Sequence, residues 1–115
     1  MQYNKYRNIK TTVGGVTFDS RKEYRRAGEL VLMERAHLIS NLERQKRFEL
    51  QPAFRNNKGE YVRAITYVAD FVYDKGGVRH VEDVKSSATK KDKTYILKKK
   101  MFMFKFPEII FVEND

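Results

Sequence analysis

Asp70 lies in the apolar run Tyr67-Val68-Ala69-Asp70-Phe71-Val72-Tyr73, and Asp83-Val84-Lys85 lies in the next one, with Asp74-Lys75-Gly76-Gly77 between them. Aromatic and β-branched residues around a Gly-containing turn are a hairpin signal, because Gly supplies the positive φ of tight turns. Side chains alternate between the faces of a strand, so Val62, Ala64, Val68, Asp70 and Val72 are expected on one face, with Tyr61, Ile65, Tyr67, Phe71 and Tyr73 on the other. With Lys75 and Gly76 as the loop, Tyr73 pairs with Val78. Asp83 is then the diagonal neighbour of Asp70, roughly 7 Å away between backbones, and Lys85 shares that face. A three-residue loop would instead turn Glu82 toward Asp70, since a one-residue slip flips every side chain.

Two inward carboxylates this close repel unless one is protonated or a cation lies between them. Carboxylate oxygens without thiols or a His pair favour Mg²⁺ or Mn²⁺ over zinc. The residues themselves therefore point to a metal-dependent phosphodiesterase.

The elements that must position these groups belong to a chain of 115 residues, the size of one domain. Seven tyrosines, eight phenylalanines and 41% apolar content imply a packed core. Lys and Arg number 24 against 15 acidic residues, a net charge of +9 that attracts polyanions, nucleic acid first. The absence of Cys excludes disulfides and thiolate chemistry. No apolar stretch approaches the roughly 20 residues of a membrane helix, and the N-terminus lacks a signal-peptide apolar region, so a cytoplasmic protein without a membrane partner is expected.

Residues 1–15 are polar and basic and end in Gly14-Gly15; they are read as a flexible arm preceding a single domain over 16–115. Val16-Thr17-Phe18 is a short extended piece. Asp19 or Ser20 caps a helix running to about Ala36, on which Glu23, Ala27 and Leu30 share a stripe. Ser20-Arg21-Lys22-Glu23 also has the spacing of a capping box, so Glu23 is assigned equally to capping and to catalysis. His37, near the helix end, is expected to cap carbonyls. Phe48-Glu49-Leu50-Gln51 alternates as a strand that stops at Pro52, and Asn56-Asn57-Lys58-Gly59 is a turn into a strand over about 60–73. Arg63 interrupts that strand's outer stripe, as a phosphate contact or a snorkelling surface residue. A strand over 78–86 follows, with His80, Glu82 and Val84 facing away from the proposed site. A second helix runs from about Lys90 to Phe106 and ends at Pro107, with Leu97, Met101 and Phe104 as its buried stripe. Lys90, Lys91, Lys98, Lys99 and Tyr95 on it suit a DNA backbone. Ile109-Ile110-Phe111-Val112 reads as a strand buried on both faces.

This order of helix, three strands, helix and strand is α/β. With an acidic residue in the first helix, Asp on the second strand and (D/E)-x-K on the third, residues 17–113 resemble the PD-(D/E)XK nuclease superfamily. Phe18-Asp19-Ser20-Arg21-Lys22-Glu23, Leu50-Gln51-Pro52, Arg63 to Phe71 and Val81-Glu82-Asp83-Val84-Lys85 resemble a small phage and prophage family within it, akin to Holliday junction resolvases and transposon-end endonucleases. Ala69 stands in place of the signature proline, Asp83 where glutamate is commoner, and Ser86 where relatives often have glycine.

The resemblance implies a restriction-endonuclease-like αβββαβ core, a mixed sheet flanked by helices, and Mg²⁺- or Mn²⁺-dependent cleavage of DNA. It implies metal binding by Asp70, Asp83 and the Val84 backbone carbonyl, with Glu23 completing the acidic cluster and Lys85 positioning or activating water. It further implies structure-selective cutting in phage DNA recombination, replication or processing, inside a bacterial host cell. Junction cutting would call for a homodimer. The alternative is a non-catalytic DNA-binding module that keeps a degenerate nuclease fold.

Overall fold

The computed structural model describes residues 11–13, 16–18 and 20–114. Strands β1 (Thr11–Val13) and β2 (Val16–Phe18) pair antiparallel, so part of the segment read as an arm is a short hairpin. Residues 1–10 lie outside the described residues.

Helix α1 (Arg21–Arg35) starts at Ser20, whose Oγ accepts from the Glu23 N–H at 3.1 Å. This satisfies one of the N-terminal amides that a helix leaves without a partner. At the other end His37 adopts φ 61°; its N–H donates to Glu34 O at 3.0 Å, and the Leu38 N–H donates to Met33 O at 2.9 Å. This is a left-handed C-terminal closure built by backbone amides. His37 therefore caps a helix carbonyl as expected, and it does so through its backbone N–H.

Strands β3 (Ser40–Gln51), β4 (Phe54–Arg55), β5 (Tyr61–Val62), β6 (Ile65–Lys75) and β7 (Val78–Val84) come next. After them come helices α2 (Ser87–Lys90) and α3 (Lys93–Lys105), and strand β8 (Ile110–Asn114). Strands β4 and β5 form a small separate hairpin around the Asn56–Gly59 turn. The main sheet has the order β3-β6-β7-β8, with β3, β6 and β7 antiparallel and β8 parallel to β7. A mixed sheet with helices on both faces results. Ala27 and Leu30 of α1 pack with Ile39, Phe71 and Tyr73 on one face, and Phe102 of α3 packs with Leu50, Tyr67, Ala69, Val72 and Val81 on the other.

Three sequence expectations change. Strand β3 is 12 residues long, three times the alternating Phe48–Gln51 stretch expected as a strand, because it is a sheet edge where charged side chains stay in water. On α3 the buried residue is Phe102, while Leu97 and Phe104 are 57% and 90% exposed. The helix meets the sheet through a ring cluster of Phe48, Tyr67, Phe102, Phe106 and Phe111, which fixes its rotation. Strand β8, expected to be buried on both faces, is the opposite edge and leaves Ile110 46% exposed. Among the described residues no helix is long and apolar enough to cross a membrane.

Candidate active site

The β6–β7 turn is Gly76-Gly77, with φ 59° and 76°, one residue later than the sequence suggested. Successive positive φ values suit the twist of a two-residue hairpin. Lys75 consequently pairs with Val78, and the register runs on to Phe71 opposite Glu82. Moving the loop by one residue preserves the face of every side chain. It brings Asp70 and Asp83 from diagonal to opposing positions.

Beyond Phe71 and Glu82 the carboxylates bridge the two strands. The Asp70 N–H donates to Asp83 Oδ1 at 2.9 Å, and the Val84 N–H donates to Asp70 Oδ2 at 2.9 Å. Lys85 Nζ lies 3.5 Å from Asp70 Oδ2 and 5.6 Å over the Tyr95 ring. The Tyr67 hydroxyl donates to Asp83 Oδ2. Asp70 and Asp83 are 4% and 0% exposed, so these charges sit in a low-dielectric setting where each neighbour matters.

Tyr67 was expected on the far face from Asp70. Tyr67, Ala69 and Val72 share one core cluster, whereas Phe71 and Tyr73 belong to the other, so strict alternation breaks around Asp70. The neighbouring strand changes at the same level. Gln45, between the pairs Arg44–Phe71 and Lys46–Ala69, has φ 52°. Such a conformation costs a non-glycine residue about 1–2 kcal/mol and clusters at functional sites. The local flip carries the Tyr67 phenol to the carboxylate pair, and no pattern in the sequence announces it.

Burial and the adjacent Asp70 carboxylate push Asp83 up to about 6, against the pull of Lys85 and the bonds from Tyr67 and the Asp70 N–H. Burial works against the Lys85 ammonium, but Asp83, Asp70 and Glu23 outweigh it and hold it above the usual lysine range. Burial and the Asp83 charge raise the Tyr67 phenol well above its ordinary value, so it remains a donor.

Glu23 is 2% exposed, and its Oε1 accepts from Arg44 at 3.1 Å and Gln45 at 2.9 Å. It raises Lys85 electrostatically but does not complete a carboxylate triad. Among the described residues no three His, Cys, Asp or Glu side chains are grouped to hold a metal ion. The two aspartates nevertheless fit a hard dication. Mg²⁺ characteristically takes one or two carboxylates and completes its shell with water and substrate phosphate. Among the described residues Asp70 Oδ1 is the one oxygen of the pair to which no protein group donates.

The proposed DNA-contacting residues are divided. Tyr95 is half-buried; its hydroxyl donates to Glu113, and its ring lies beneath Lys85, so it braces the site and is no open stacking platform. Lys99 pairs with Glu113 at 3.2 Å. Lys90 ends α2 and Lys91 is its exposed C-cap residue, while Lys98 lines a groove with Arg47 and Arg63. Ser86 caps α2, accepting from the Thr89 N–H at 3.2 Å, which suits a capping residue at the end of β7 better than glycine.

On the α1 face, Glu82 is fully buried and accepts from Arg26 through both oxygens, from Tyr73 at 2.7 Å and from Asn114 at 2.6 Å. His80 stacks on Tyr73 on this face, away from the aspartates as expected.

A family model described as a protein of unknown function (DUF1064) matches residues 3–112. No curated protein and no solved structure matches the chain.

Proposed function

We propose that this chain, which belongs to the DUF1064 family, is a metal-dependent DNA endonuclease with a restriction-endonuclease-like core. One observation carries the reading: Asp70, Asp83 and Lys85 converge at the place where the β6–β7 ladder gives way to side-chain bonds. The order α1, β3, β6, β7, α3, β8 also agrees with the αβββαβ core that the sequence resembles.

Asp70 and Asp83 would hold Mg²⁺ or Mn²⁺, with the Val84 carbonyl as a further oxygen ligand. Such a cation supplies the positive charge that polarises a scissile phosphate and makes water a competent nucleophile near neutral pH. Lys85 remains protonated, is oriented by Asp70, and offers N–H donors to a phosphate oxygen or to the attacking water. Tyr67 orients Asp83, and Tyr95 restrains Lys85. Glu23 acts from α1 through Arg44 and Gln45 of the adjacent strand β3.

The substrate proposed is branched DNA of the Holliday junction type, processed in the cytoplasm of a bacterial host during phage recombination or replication. A homodimer would supply one site for each of two strands. The test is cleavage of four-way junction, flap, duplex and single-stranded DNA with Mg²⁺ or Mn²⁺, beside Asp83→Asn. That substitution keeps an oxygen for the Asp70 N–H while removing the charge. Metal-dependent cutting that disappears in the variant is expected. Equal cutting by both proteins, or none by either, overturns the reading.

A further inference from the structure

Most of the basic side chains packed against the sheet are already engaged. Arg26 pairs with Glu82, Arg44 with Glu23, Arg79 with Glu43 and Asp74, and Lys99 with Glu113. Arg47, Arg63 and Lys98 differ. Arg47 and Arg63 are exposed and Lys98 is half-buried; among the described residues none of the three side chains has a hydrogen-bond or ion-pair partner, and all line one groove of about 670 Å³ with Thr66. They come from β3, the approach to β6, and α3, so the tertiary fold gathers them. Like charges assembled without a counter-charge repel, and an anion relieves that repulsion.

The position of the groove relative to the aspartates is fixed by the sheet. Arg47 pairs with Val68, two residues before Asp70, and Thr66 is four residues before it. At about 3.3 Å per strand residue these positions lie about 7 and 13 Å from Asp70. Successive phosphates of one duplex strand advance about 3.4 Å along the axis, so the span corresponds to about two to four phosphates. Lys85 follows Asp83 on β7, which runs antiparallel to β6, and therefore extends in the direction of the groove.

We propose that Arg47, Arg63 and Lys98 form a binding site for the phosphodiester backbone of DNA, about two to four phosphates from the bond at Asp70 and Asp83. The proposal rests on the endonuclease reading for the substrate, but binding can be measured apart from cutting. Two arginines can each fork onto phosphate oxygens, Lys98 adds a point charge, and the Thr66 hydroxyl is a neutral donor. Such contacts fix register without reading bases.

The test is fluorescence anisotropy in EDTA, with a labelled 20-base-pair duplex and a four-way junction, across a salt series. Arg47→Gln/Arg63→Gln is compared with Arg35→Gln/Lys75→Gln, an equal charge change at the end of α1 and the β6–β7 turn. The groove variant should lose about tenfold or more in affinity, with the slope of log Kd against log salt shallower by about 1.8, while the control changes far less. Lys98→Gln should move the slope by about 0.9. A single methylphosphonate two to four positions from the cut should weaken the wild type but not the groove variant. Equal losses in groove and control variants, or no DNA binding by the wild type, overturn the site. If the groove variant behaves as expected and the wild type never cuts, the groove stands and the endonuclease reading falls. If the wild type cuts and the groove variant binds normally, the reverse holds.

Discussion

Glu82 and Asp83 are consecutive, fully buried acids on β7, yet they face opposite environments. Glu82 meets the Arg26 guanidinium in a two-pronged contact, and Tyr73 and Asn114 supply further donors. Its negative charge is matched within the fold. Burial and the bond to Glu82 push Tyr73 up to about 12, and Arg26's own bonds to Glu82 hold it above its ordinary value. Asp83 instead meets a second carboxylate, and one Lys85 ammonium must serve both. A buried acid whose charge is satisfied holds structure together. A buried acid left in surplus negative charge must take up a proton or a cation, and the proposed function assigns it the cation.

The comparison can be broken most directly through activity. Lys85→Ala or Asp83→Asn should lower the cleavage rate by at least about 10²–10³-fold while leaving DNA affinity in EDTA close to wild type. Cleavage at the wild-type rate in either variant would remove the distinction between the two acids. Glu82→Ala should act on stability instead. Stranding the Arg26 charge should cost about 3–5 kcal/mol in urea unfolding, and a loss below about 1 kcal/mol would contradict the structural role.

Protonation sharpens the contrast. The Asp83 carboxyl is raised on folding, so the native state binds more protons than the unfolded chain between the ordinary aspartate value and about 6. Its contribution is favourable below that window and is lost as pH rises through about 6. Metal-free Asp83→Asn should therefore be more stable than wild type above pH 6, by about 3 kcal/mol at most, and gain nothing below pH 4. Denaturant titrations at pH 4 and 8 measure this, and an advantage of equal size at both values would refute it. The smallest effect is expected from Tyr67→Phe. Losing the donor to Asp83 should raise its protonation midpoint further and move the acid limb of the pH–rate profile upward by less than about one unit. A profile that stays in place would show that Tyr67 only packs.

Much of the candidate site was legible because a strand has a period of two. That period placed Asp70, Asp83 and Lys85 on one side and set Glu82 and His80 apart from them, whichever pair of residues formed the turn. The Ser20 cap and the stop at Pro107 were legible for a similar reason, since they depend on local hydrogen bonding and sterics. The rotation of α3 was not, because Leu97, Phe102 and Phe104 are all apolar and their order of burial depends on the rings waiting on the sheet.

The chain's own chemistry thus fixed which residues could meet, through turn glycines, alternation and caps that act over a few positions. Only the folded sheet decided how closely they meet. Gln45 takes a positive φ across from Asp70, where the alternation of β6 breaks and Tyr67 meets Asp83, and β3 remains a long strand although its polar residues carry little strand signal of their own. Those outcomes depend on pairing and packing between segments distant in sequence, where tertiary contacts outweigh local preference.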